Sequence, residues 1–249
     1  MLLEGKVAVV YGAGGTIGGA MARGFAREGA DVFLAGRTRG KLDQIADEIR
    51  AAGGSAQVGT VDALDGPAVD AYVDEVVTRA RRIDISANVI GLGDVQKPLT
   101  EITVEEFLQP IATAARAHFL TTRAAARHMV PQGSGVILAF GGGGPQTLPG
   151  LGGFKVALDA LEGLRRQWAT ELGPHGIRVV TLKSGGVPES IPEGFPGRDA
   201  IVRGLEDAAP LNRLATVSDV GDVAAFVASD RARTITGADV NISCGAIMD

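Results

Sequence analysis

The stretch Tyr11-Gly12-Ala13-Gly14-Gly15-Thr16-Ile17-Gly18-Gly19 decides the fold of this chain. Before it runs a short apolar segment, 7–10, rich in β-formers, and after it a segment of helical period, 17–27. Strand, glycine turn and helix in that order bring the backbone close to a pyrophosphate. Its charge is met there by the unpaired N–H groups and positive end of the new helix. A glycine turn alone is equally a tight structural turn; its place after the first strand points to a nucleotide, with Gly12, Gly14, Ile17 and Gly18 as candidate contacts.

The same alternation continues outward. Strand-like runs at 32–35, 56–58, 83–87, 136–140, 177–182 and 239–242 are separated by helical segments at 41–51, 68–81, an Ala-rich region ending at Met129, 153–172 and 218–229. This predicts an α/β protein: a single-domain Rossmann-type doubly wound parallel sheet with helices on both faces, over residues 1–249. Such sheets bind ligands at the carboxyl ends of their strands. Segment 183–216, with four prolines and five glycines, reads as an irregular excursion with one short helix near 199–206, either a substrate lid or a plain surface loop. Ser218 is expected to cap the next helix, with Asp219 in its first turn, and Pro110 to restart or bend the Ala-rich helix.

Composition narrows the function classes. At 249 residues, 45% hydrophobic and 21% charged, the chain suits one larger globular domain and excludes disorder and fibre. Lys+Arg 24 against Asp+Glu 29 leaves a net charge of −5, so neither a nucleic-acid partner nor an anionic membrane surface is expected. No run approaches the roughly 20 apolar residues of a bilayer span, and Glu4 stands where an export signal wants bases. The single Cys244 shares no metal-ligand spacing with His118, His128 and His175, so a reduced, cytoplasmic, metal-free protein is expected.

The second strand ends in Ala35-Gly36-Arg37-Thr38-Arg39, where an NAD-selecting protein places an acid against the ribose hydroxyls. Asp31 lies at the wrong end of that strand, while Arg37 can pair with a 2′-phosphate, so NADP(H) is preferred over NAD(H). Asp62, after the third strand, is either an acceptor for the adenine amino group or a simple turn carboxylate.

These residues, with Leu3-Glu4-Gly5-Lys6-Val7 before them, resemble the short-chain dehydrogenase/reductase family over essentially the whole chain. The family's usual turn is Thr-Gly-x-x-x-Gly-Ile-Gly; Gly12, Ile17 and Gly18 match it, while Tyr11 and Thr16 depart from it. The resemblance implies adenine contacts at Asp62-Ala63, a cofactor role for Asn88 in Asn88-Val89-Ile90-Gly91, and a family-like Ile235-Thr236-Gly237-Ala238. It also implies a Tyr-x-x-x-Lys pair in which the lysine holds the nicotinamide ribose and the phenol exchanges a proton with the substrate, assisted by a serine and an asparagine. Read with Lys155 as that lysine, the tyrosine position is Leu151, the serine position falls in Gly141-Gly142-Gly143-Gly144, and the asparagine position is Ala114. Lys155 is then the one catalytic residue retained, and Leu151→Tyr with Gly142→Ser is expected to raise carbonyl reduction.

Two functions follow. One is an NADP(H)-dependent oxidoreductase acting on a carbonyl or conjugated enone of a hydrophobic small molecule, with its proton from Lys155, a water, or Ser86, Asp94, Thr147 or His118. The other is a non-redox protein on the same fold, a cyclase, isomerase, lyase or non-catalytic partner subunit. Ala112, Ala114, Ala115 and Ala117, then Ala124 to Ala126, form a small-residue helix face that allows close helix contact or ordinary packing on the sheet. The family resemblance points to a homotetramer or homodimer. Trp168 reads as core or interface.

Overall fold

A computed structural model describes residues 1–142, 147–195 and 197–248. Gly143 and Gly144 of the four-glycine run, and Pro196 of the excursion, lie outside the described residues.

Every residue of the first strand, β1 (Val7–Tyr11), is buried, and its alternating side chains feed two separate cores. Ala8 and Val10 join Met21 and Phe25 of α1 (Thr16–Arg27) and Val220 of α7 (Val217–Ala228). Val7, Val9 and Tyr11 join Val69 and Val73 of α3 (Gly66–Ala80) and Ala117 of α4 (Val104–Gln132). Between them lie β2 (Asp31–Gly36), α2 (Arg39–Ala51), β3 (Ser55–Thr60), β4 (Ile85–Asn88), β5 (Gly135–Phe140), α5 (Gly153–Leu172), β6 (Ile177–Lys183), α6 (Arg198–Asp207) and β7 (Ala238–Asn241). The strands form one parallel sheet in the order β3-β2-β1-β4-β5-β6-β7, which is the doubly wound Rossmann-type arrangement. The order reverses between β1 and β4, so a crevice opens beyond Tyr11 and Asn88.

Two local expectations are corrected. Thr216, not Ser218, caps α7: its hydroxyl accepts from Asp219 N at 3.2 Å while Asp219 Oδ2 accepts from Thr216 N at 2.8 Å, a reciprocal pair that Ser218 is placed too late to make. Pro110 does not restart α4, which runs through it as one helix. The ring gives up one helical hydrogen bond but is buried where α5 crosses, its Cγ 3.0 Å from the place a Cβ on Gly153 would take. The small-residue face of α4 packs within the chain, with Ala114, Ala117, Ala124 and Ala125 buried and only Ala112 of the set exposed. Among the described residues, no helix is long and apolar enough to cross a membrane.

Candidate cofactor cleft and active site

The glycine turn works through close approach. Gly12 has φ +78°, and a Cβ there would stand 2.2 Å from the Val89 carbonyl oxygen, so only glycine lets the β1 turn nest against the β4 turn. Gly12 N donates to Ala35 O at 2.9 Å and Val89 N to Tyr11 O at 3.0 Å, which ties the three strand ends together. Helix α1 follows with Gly15 as its N-cap and no side chain capping it, so its first N–H groups have no side-chain acceptor.

At this junction lies a cavity of about 470 Å³. Of the candidate cofactor contacts, Gly12, Gly14, Arg37, Asp62 and Ala63 line it. Ile17 and Gly18 do not; a Cβ on Gly18 would stand 2.3 Å from Gly12 O, so its part is to let the helix sit against the turn. Asn88 lies beneath, its amide donating to Thr121 Oγ1 at 2.9 Å and its Oδ1 accepting from Ile90 N at 3.3 Å, which shapes the turn that floors the cavity. Asp62 both lines the cavity and braces its own turn, Oδ1 accepting from Leu64 N at 3.0 Å.

The sequence reading missed Thr38 and Lys41, which also line the cavity. Their signal was their position at the start of α2, immediately after Arg37. Arg37 and Lys41 have no ion-pair partner among the described residues, whereas the neighbouring Arg39 is held by Asp43 at 2.9 Å. Asp62 is the one carboxylate among the described lining residues, and it stands after β3.

The other half of the site differs from expectation. Leu151 precedes α5, so it is not one helical turn from Lys155. Lys155 does not line the cavity; its ammonium is clamped by Asp159 one turn on, at 2.5 and 2.6 Å. On α5, Phe154 and Leu158 stand one helical turn apart. Phe154 packs against the cluster of Leu92, Ala114, Ala157 and Leu161, and Leu158 Cδ2 is 3.4 Å from the place a Cβ on Gly141 would take. Phe154 and Leu158 thus meet the asparagine position, Ala114, and the end of β5, which is where a proton-exchanging pair would have to sit.

None of the candidate proton donors takes the place of that pair. Ser86 is buried in β4, Asp94 accepts from Gln96 at 3.1 Å, Thr147 is exposed, and none of these lines the cavity. Burial pulls the His118 imidazole down to about 4 and keeps it neutral. The only two phenols face each other edge-on, ring centroids 6.5 Å apart, and burial pushes both upward, Tyr72 less deeply set than Tyr11.

A family model described as enoyl-(acyl carrier protein) reductase matches residues 12–246. An uncharacterized oxidoreductase of Mycobacterium tuberculosis is 31% identical over 246 residues, 98% of this chain and 92% of that protein. A hydroxynaphthalene reductase of Aspergillus fumigatus is 30% identical over 94% of this chain and 90% of its own length. A crystal structure of a dehydrogenase/reductase from Sinorhizobium meliloti superposes with a TM-score of 0.87 at 29% identity, covering 98% of this chain and 96% of that one.

Proposed function

Because this chain belongs to the short-chain dehydrogenase/reductase family, we propose that it binds NADP(H) in preference to NAD(H) and reduces a carbonyl or conjugated enone of a hydrophobic small molecule. The observation that carries this reading is the cavity at the strand-order switch, rimmed by Arg37 and Lys41 with no carboxylate at the end of β2. The residues fit the dinucleotide: Gly14 and the free N–H groups of α1 suit a pyrophosphate, Arg37, Thr38 and Lys41 a 2′-phosphate, and Asp62 with Ala63 an adenine. When bound, the cofactor supplies a hydride.

The chain's own residues then decide what accepts it. Phe154, Leu158 and Ala114 exclude water and offer no proton, so simple ketones lose the general-acid help that is typically worth about 10²–10⁴-fold. A conjugated acceptor, whose developing charge is spread over several atoms, suffers least. Lys155 takes no part in this reading, since its charge is spent on Asp159. Exposed Phe195 and Ile201 give segment 183–216 the apolar surface a lid over such a substrate needs.

The test is calorimetric titration with NADPH and with NADH. NADPH is expected to bind at least about tenfold tighter, some 1.4 kcal/mol. Arg37→Ala with Lys41→Ala is expected to bring NADPH down to the NADH value while NADH changes little; equal affinities in the native protein would overturn the preference. Binding of neither nucleotide would favour the non-redox reading of a cyclase, isomerase, lyase or partner subunit, for which the apolar wall around Phe154 already speaks.

A homodimer or homotetramer is part of the same proposal. A groove of about 410 Å³ between α4 and α5 is lined by Phe119, Arg123 and Trp168, with Phe119 half exposed under the Arg123 guanidinium at 5.6 Å. Sedimentation is expected to show a dimer or tetramer that Phe119→Asp converts to a smaller species; a native monomer would refute it.

A further inference from the structure

Helix α4 carries Gln109, Thr113 and Arg116 on one face, spaced by one helical turn each. Arg116 Nε donates to the Leu64 carbonyl at 2.8 Å, which docks that face onto the turn holding Asp62. Thr113 and Gln109 stand one and two turns nearer the start of the helix, and both line the cavity that Asp62, Ala63 and Leu64 line. Gln109 is exposed, and its Nε2 is 3.6 Å from the place a Cβ on Gly93 would take. Gly93 has φ +68°, the left-handed backbone that favours glycine, so the loop passes the amide without a side chain to cover it.

The amide is also largely unspent. Nε2 donates to Thr113 Oγ1 at a long 3.4 Å, and Oε1 accepts no hydrogen bond among the described residues. Asp62 is in the same position: Oδ1 accepts from Leu64 N at 3.0 Å, while Oδ2 has no partner among the described residues. Asp62 and Gln109 thus offer two acceptors and one donor beside the apolar Val61, Ala63, Leu64 and Leu92. An adenine edge is the complement: its 6-amino group has two N–H donors, and the ring nitrogen beside it only accepts. A glutamine amide meets that edge with two bonds, accepting from N6 and donating to N7.

We infer that Gln109 sets the choice of base in the dinucleotide, its amide reading the amino edge of adenine while Asp62 takes the second amino hydrogen. The inference rests on the dinucleotide reading. It assigns to α4 what the β3 turn cannot supply, since an ionised carboxylate only accepts and leaves the ring nitrogen without a donor. Thr113 acts through Gln109, steadying the amide from one turn below, and is a positioning residue. Hypoxanthine, with an oxo group at C6 and a hydrogen on N1, sets an acceptor against the Asp62 carboxylate and the Gln109 carbonyl oxygen.

The test is calorimetric titration with NADPH and with reduced nicotinamide hypoxanthine dinucleotide phosphate, which differs from it only in the base. The native protein is expected to bind the adenine form at least about tenfold tighter. Gln109→Met keeps the side chain's length and helix propensity. It is expected to weaken NADPH by about fivefold or more and the hypoxanthine form by less than about twofold. Its ratio of NADPH to NADH affinity, which Arg37 and Lys41 set, is expected to stay at the native value. A Gln109→Met protein with the native base preference overturns the inference. So does one that weakens both dinucleotides equally, or a native protein that binds the two alike. Binding of neither by the native protein overturns the dinucleotide reading itself, and the base contact with it.

Discussion

Phe154→Tyr combined with Leu158→Lys is expected to raise ketone reduction by about 10²–10⁴-fold, the usual worth of a positioned general acid. Helical register sets the two positions. Helix α5 begins at Gly153, so Phe154 and Leu158 are helical neighbours one turn apart, on the face that meets Ala114 and the end of β5. A tyrosine and lysine placed there stand one turn apart beside Ala114 and Gly141. By contrast, Leu151→Tyr beside the native Lys155 is expected to change nothing, even with Gly142→Ser, because Leu151 precedes the helix and Lys155 turns to Asp159. NADPH oxidation with a ketone panel checks both. Equal rates for the native and Phe154→Tyr/Leu158→Lys proteins would show that the cleft does not present a carbonyl to this face.

The contrast shows where local reading of the sequence stops. The turn at Gly12 and the alternation of strands with helices were legible because they are written in spacing, and the place of Arg37 at the cavity because it directly follows β2 and so marks which end of the sheet it stands at. The register of α5 was not. Its start is set by a tertiary approach: a Cβ on Gly153 would lie 1.8 Å from the Phe107 carbonyl oxygen, and Gly152 takes φ +54° to bring the chain there. Nothing within the segment itself announces that contact, and a lysine near the expected place drew the register three residues too early. Pro110 misled for the same reason, since the packing that keeps it in α4 comes from α5. Glu162 and Asp239 sit on separate elements, and only the closing of the sheet by β7 brings both against Arg165.

The remaining large effect is on stability. Between pH 6.5 and about 4 the fold is expected to lose about 3 kcal/mol through His118 alone. Buried in α4 beside Ala114 and Ala117, the imidazole is held neutral, its folded pKa pulled down to about 4 by desolvation while the unfolded chain keeps the ordinary value of 6.5. A depressed value means the unfolded state binds the proton first. The contribution is therefore complete above pH 6.5, declines as the unfolded chain protonates, and is lost once pH has fallen through the folded value. Each unit of separation is worth about 1.4 kcal/mol. The exposed acids held low by their partners, Glu48, Asp74, Glu106 and Asp219, give up their share further down, below their ordinary carboxylate values. Glu162, pushed up, works in the opposite sense: its contribution is present at low pH and fades as pH rises. Urea unfolding at pH 7 and at pH 4.5, for the native protein and for His118→Leu, isolates the term. The native protein is expected to lose markedly more between the two pH values than the variant, whatever the variant's absolute stability. Equal losses would mean that water reaches the ring and that α4 is less tightly seated on the sheet than its buried face implies.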